Sequence, residues 1–363
     1  MTTTDLDATP GDTASAPDAT PPHRSTSPTD RYSPKQILVA VAVGVLLLQI
    51  GFITSYVAAF HQPTPHDIPI AVVAEPGLPA GADQQVVDRL GAIDGHPVQA
   101  RVAATTYEAR TLIGDREVMG AYVIAASGPD TLITASAAGS SAATALERIF
   151  TAATADSGRT FVVRDEIPVG VHDNRGLSGF YLSIGWVVGG YLLAAAVGLL
   201  IGAPRTLREA GLHTTITAGY AAASGFVGAL ITTTVLGTFT GHLLPLTLLG
   251  AGVVFATGMF TAGLRAALGI LAVPLAIVIF VVLGNPSAGG AFGSNVLPLF
   301  YAAIGRWITP GAGTEGVRSI VYFHGTGIGQ PIATLVLYTV VGVVAVFGCT
   351  ARLAARSSAP EVA

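Results

Sequence analysis

The residues able to do chemistry in this 363-residue chain are few, and their spacing argues against catalysis. Its one lysine, Lys35, is followed by Gln36. A phosphate-cradling loop needs a Gly-rich turn before the lysine and Ser or Thr after it, so no Walker A site exists. Eight histidines are present, none in a His-Glu-x-x-His pair. His61 and His66 stand five apart in a Pro-rich juncture and read as a solvated loop rather than a metal site. No Gly-x-Ser-x-Gly elbow occurs, and Ser127 and Ser140 sit in small-residue turns. The single cysteine, Cys349, excludes an internal disulfide and a thiolate cluster. The expectation is a non-enzyme without catalytic, cofactor or metal residues.

The elements that would position any function are of another kind. Hydrophobic residues make up 51% of the chain and charged ones 11%, far below the roughly 25% charged of soluble domains. The apolar residues gather into charge-free runs near the ~20 residues that span a hydrocarbon core. Six such runs are present: Ile37–Phe60, Leu177–Ile201, Thr214–Leu236, Leu243–Thr261, Ala266–Leu283 and Pro331–Phe347. The first exceeds a cleavable signal core of about 7–15 residues, which favours an uncleaved span over a signal peptide. None of the six holds Asp, Glu, Lys or Arg, which speaks against proton-coupled transport through intramembrane ionisable groups. No basic run exceeds two residues, so nucleic acid is not an expected partner, whereas the lipid bilayer is.

Between the runs the composition changes. Residues Met1–Ser33 are rich in Thr, Ser, Pro, Ala and Asp, and a disordered cytoplasmic tail is expected over 1–36. The 116 residues of 61–176 carry 8 Arg and 14 Asp or Glu, which marks a soluble domain. Strands are expected at Ile68–Ala74, Val98–Ala103, Gly120–Ala125, Leu132–Ala135 and Phe161–Val171. Helices are expected at Asp83–Ile93, Tyr107–Val118 and Ala142–Ala155. In the second, Tyr107, Ala109, Leu112, Ile113 and Val118 form the apolar side, leaving Arg110, Asp115, Arg116 and Glu117 to water.

Residues 177–347 then form a five-helix membrane domain interrupted by an external segment at 285–330, and 348–363 form a cytoplasmic tail. Pro286, Pro298, Pro310 and the glycines, Gly289 and Gly290 among them, leave that segment too broken to span. Short helices at Val296–Trp307 and Thr314–Tyr322 would dip into the outer leaflet, and an ordinary external loop is the other reading. Arg31 and Lys35, Arg205 and Arg208, Arg265, and Arg352 and Arg356 alternate with a charge-free turn at Gly237–His242, which puts both termini in the cytoplasm. Arg306 and Arg318 run against that alternation. The predicted fold is thus an α-helical polytopic membrane protein of six transmembrane helices with an inserted extracytoplasmic α/β domain. Within Pro204–His213, Arg205, Leu207, Arg208, Glu209 and Leu212 would form a short amphipathic helix for a partner, or else a basic linker near anionic headgroups.

Local wording adds a resemblance. Asp115-Arg116-Glu117-Val118-Met119-Gly120-Ala121-Tyr122-Val123, Asn285-Pro286-Ser287-Ala288-Gly289-Gly290, Leu297-Pro298-Leu299-Phe300, and then Pro310, Arg318, Tyr322 and Phe323 carry it. Over Ile37–Phe347 the layout resembles the membrane subunits of type-2 ABC exporters, nearest the branch of phage-infection-protein-like membrane proteins. That resemblance implies a homo- or hetero-dimer in the plasma membrane, with a separate cytoplasmic ATPase engaging Pro204–His213. It also implies export of an amphipathic or lipid-like compound. The tail before Ile37 departs from the pattern in lacking an interfacial helix. A non-transporting scaffold or surface receptor is the alternative function.

Overall fold

A computed structural model describes residues 33–155 and 157–357. The expected tail over Met1–Ser33, apart from Ser33, lies outside the described residues, as do 358–363. The chain divides into two compact units, Met1–Leu46 and Leu47–Ala363. In the first, α1 (Pro34–Phe60) begins on a capping box. The Gln36 N–H donates to Ser33 Oγ at 3.3 Å, and the Ser33 N–H donates to Gln36 Oε1 at 2.9 Å. Pro34 takes the first helical position, where its missing N–H is no loss. The helix thus starts three residues before the expected Ile37, inside the region read as tail, and its side chains up to Leu46 are largely exposed.

The second unit contains the rest. Its α/β part has strands β1 (Ile68–Ala74), β2 (Val98–Val102), β3 (Gly120–Ile124), β4 (Asp130–Thr134) and β5 (Phe161–Asp165) in the order β2-β1-β3-β4-β5. All neighbours are parallel except β3 and β4, which form a hairpin. Helices α2 (Ala82–Gly91) and α4 (Ser140–Thr154) cover one face over Ile68, Ile70, Val72, Tyr122 and Leu132. On the other face α3 (Thr106–Gly114) packs with Ala109 and Ile113 against Ala71, Val73 and Ile133. The expected strands and helices all appear with ends shifted by a few residues, most at Phe161–Asp165, which stops six short of Val171. Tyr107 is a correction: it is 82% exposed, because Thr105 caps α3 and starts the helix with Tyr107 turned outward.

The helical part follows: α5 (Ser178–Leu200), α6 (Leu207–Leu230, extended by a π turn over Ile231–Val235), α7 (Leu243–Leu268), α8 (Ala272–Ile277), a π turn at Val278–Leu283, and α9 (Gly284–Ser287). Then come α10 (Leu299–Gly305), α11 (Thr309–Tyr322) and α12 (Gly329–Ser357). Among the described residues five helical segments are long and apolar enough to cross a membrane: α1, α5, α6 with its π turn, Leu243–Ser287, and α12. Leu243–Ser287 is not a straight rod. Gly269, at φ 59° and ψ −124°, breaks it with a backbone that disfavours a Cβ. The Phe260 and Phe280 rings lie 6.0 Å apart, where a straight helix would separate them by about 30 Å. The chain therefore doubles back at Gly269.

Large apolar side chains on these helices both fill the interior, as Trp186, Leu246 and Phe280 do, and cover the outside. Ile332, Val336, Val340 and Val344 form one exposed stripe on α12, while Thr334 and Thr350 are buried. Water is a poor solvent for such a surface and lipid a good one, so this is a multi-pass membrane protein. α12 also runs ten residues past Phe347, so 348–357 is helical.

Candidate functional site

The segment read as broken and external, 285–330, forms the part of the helical unit where polar groups converge. α11 is 14 residues long, about 21 Å, too short to cross a core of about 30 Å. It is nonetheless buried from Thr309 to Thr314 and packs against α5, α7 and α12. Small residues make that possible. A Cβ on Gly313 would overlap the Ser183 side chain, and one on Gly316 would meet Leu249 at 2.8 Å. Around the buried first turn of α11 the side-chain hydroxyls find acceptors. Ser183 donates to the Pro310 carbonyl at 2.9 Å, Thr314 donates to the same oxygen at 2.8 Å, and Thr257 donates to Thr309 Oγ1 at 3.0 Å. Hydroxyls buried this deeply are tolerable only with such acceptors.

The remaining residues of the segment are placed around that half-helix. Asn285 and Pro286 lie in α9, and Pro298 precedes α10. Arg306 is exposed beside Trp307, and its carbonyl accepts from Thr334 at 2.9 Å. Gly290 abuts Phe180 of α5. Ser55 donates to the Val282 carbonyl at 2.5 Å and accepts at its own carbonyl from the Tyr301 hydroxyl at 2.9 Å, tying α1 to α10.

The C-terminal half of α11 is fastened to the α/β domain by charge. Glu315 accepts from Arg116 Nη2 at 2.5 Å with one carboxylate oxygen and from Arg318 with the other. Arg116 Nη1 also donates to Ser319 Oγ at 2.7 Å, and its guanidinium lies 4.8 Å from the centre of the Phe323 ring. Arg318 continues to the Gly289 carbonyl at 3.1 Å. A second tie lies alongside: Tyr322 donates to Asp173 at 2.6 Å and accepts from the Gly170 N–H at 3.2 Å. A third joins Gly293 N–H to Ser141 Oγ at 3.0 Å and His66 Nε2 to the Leu297 carbonyl at 2.8 Å. The reading of Arg116 as a water-facing residue is thereby corrected. Its φ of 62° turns the chain after α3 and aims the side chain at α11. Arg318 is likewise no free charge against the positive-inside pattern, being 8% exposed and paired.

On the opposite arm, Pro204–His213 is not a separate amphipathic helix. Thr206 Oγ1 accepts from the Glu209 N–H at 3.2 Å and Glu209 accepts from the Arg205 N–H at 2.8 Å, a capping box that starts α6 at Leu207 and runs it on without a break. Arg205, Leu207, Arg208, Glu209 and Leu212 are all exposed there, and Glu209 is engaged in the cap. Arg265, beyond the expected span, lies in α7 and donates to the Gly198 carbonyl of α5.

The α/β domain holds one further buried charge. Asp130, fully buried, accepts from the Tyr122 hydroxyl at 2.5 Å, the Ala125 N–H at 2.8 Å and Arg159 Nε at 2.7 Å. Burial pushes its carboxyl up, but Arg159, Tyr122 and the amide together hold it below the usual carboxylate range. Compared with known proteins, the chain matches no family model, no curated protein and no solved structure.

Proposed function

We propose that this chain is a permease-like membrane subunit that exports an amphipathic or lipid-like compound, with ATP hydrolysed by a separate cytoplasmic chain. In this reading α1, α5, α6, α7, the returning arm Ala272–Ser287 and α12 cross the plasma membrane, six times in all. Both termini are cytoplasmic, and the α/β domain is outside. The observation that carries it is α11: a half-length helix buried in the bundle and joined at its first turn to α5 by Ser183 and to α7 by Thr257. Discontinuous helices of this kind are a recurring component of transporter sites near the bilayer midplane. A scaffold or receptor needs only anchoring, for which an embedded half-helix has no use.

Energy coupling follows from residue types. No Walker A lysine is available and the spanning runs offer no carboxylate relay, so the drive must dock from outside the chain. The exposed Arg205 and Arg208 beside the α6 cap form the docking point, and the pairing of two such chains gives the dimer. The test is the double substitution Arg205→Glu with Arg208→Glu, leaving the capping Glu209 in place. Export is expected to fall about ten-fold or more with normal insertion, and an ATPase chain that co-purifies with the wild type should be lost. Unchanged export in a correctly inserted double mutant would make Pro204–His213 a linker and put the receptor reading first.

A further inference from the structure

Helices α2 and α4 share one face of the sheet without closing over it. α2 packs on β1 and β2 and α4 packs on β4, so a hollow opens between the two helices over β3. The result is a cavity of about 420 Å³, within the range of about 300–1,000 Å³ typical of small-molecule sites. Its walls are apolar, with Val86 and Leu90 from α2, Phe150 from α4 and Ile124 from β3.

The polar groups of the cavity are unequal. Arg159 is committed to Asp130, whose negative charge it balances, and Tyr122 donates its proton to the same carboxylate. Arg89 differs: its Nε reaches only the Gln85 carbonyl one turn back, at 3.3 Å, and it forms no ion pair among the described residues. Asp83 and Asp88, the acids on the same helix, accept from Gln84 and do not line the cavity. Among the described residues the hollow therefore presents apolar walls and, at an exposed edge, a cation without an ion pair. An apolar body would leave water there, and a carboxylate or phosphate at its end would meet Arg89 in the charge-assisted geometry that guanidinium favours.

We infer that the cavity between α2 and α4 binds a single-chain anionic amphiphile, with the alkyl part over β3 and the head group on Arg89. This goes beyond the permease reading and stands without it, since binding to the α/β domain needs neither an ATPase nor transport.

The test uses the full chain in discs of zwitterionic phospholipid, with a dansyl-labelled undecanoate as probe. Saturable fluorescence enhancement, one probe per chain above partition into empty discs, is expected. Arg89→Gln, an exposed substitution, should weaken the carboxylate probe about five-fold, the equivalent of about 1 kcal/mol, and leave the corresponding dansyl-labelled alcohol unchanged. Ala153→Trp, at the cavity edge on α4, should abolish saturable binding of both with normal thermal unfolding. Displacement by laurate or by dodecyl phosphate then tells which head group the site prefers. Binding that never rises above empty discs, or that persists at wild-type affinity in both variants, overturns the proposal.

Discussion

Asp130 shows how one residue sets the stability of the α/β domain. A buried carboxylate is tolerable only when its lone pairs are occupied, and here Tyr122, Ala125 and Arg159 supply the donors. Its carboxyl titrates below the unfolded value of about 4, so its contribution is present above that pH and lost as pH falls through the lower folded value. Tyr122 runs the other way. Burial, then the hydrogen bond to Asp130, pushes its hydroxyl up, so its contribution holds below about pH 10 and fades above it, where the unfolded phenol ionises first. Asp130→Asn should cost about 2–3 kcal/mol at neutral pH, because an amide cannot answer both nitrogens of Arg159. Thermal unfolding followed against pH checks this. The wild type should lose its advantage over the variant only below about pH 4, and equal melting at pH 7 would mean the pair contributes nothing.

Among the elements, α11 carries the charged tie between the α/β and helical parts. Glu315 is shared by Arg116 and Arg318, so Glu315→Gln leaves two guanidiniums facing an amide while Arg116→Met removes only one. The single substitutions should each lower the unfolding temperature. A double-mutant cycle should show a coupling of about 1–3 kcal/mol, and a value near zero would mean that the contact does not fasten the domain. This contact was poorly legible in the sequence for a physical reason. Strands such as β1 announce themselves by a local run of Val and Ile, and the expected Ile68–Ala74 matches the observed strand to the residue. A pair such as Arg116 and Glu315 lies 199 positions apart and leaves no periodic trace. Glu315 did carry a signal, since it and Glu209 are the only acids between 177 and 347 and an arginine follows three residues later. The Thr206-x-x-Glu209 capping box was equally readable, and it competes with the amphipathic reading of the same residues. The chain reversal between α7 and α8 was visible as two apolar runs flanking Arg265, while the cavity above β3 was not, because it depends on where α2 and α4 come to rest.

At the scale of the whole molecule, the number of crossings is a question of parity. With the two arms of Leu243–Ser287 counted as two crossings, the chain would cross six times and its two ends would share a side. With that segment counted as one crossing, α12 would run in the opposite sense and deliver its C-terminal end outside. Ile270, 86% exposed at the reversal, and Leu353, 48% exposed near the end of α12, distinguish the two arrangements. In a background with Cys349→Ser, single cysteines at Gly91 and Thr240 should react with a membrane-impermeant maleimide in intact cells. Cysteines at Arg205, Ile270 and Leu353 should react only after the membrane is opened. The expectation rests on Arg205, Arg208, Arg265, Arg352 and Arg356 lying together on one side, as short basic segments do on the cytoplasmic face. Arg265 adds weight, because its guanidinium donates to the Gly198 carbonyl of α5 and so joins the C-terminal ends of α5 and α7. Labelling of Leu353 in intact cells would leave an odd number of crossings and remove the six-crossing arrangement. Labelling of Ile270 alone would show that the reversal reaches the outer surface and that α7 and α8 form an external hairpin.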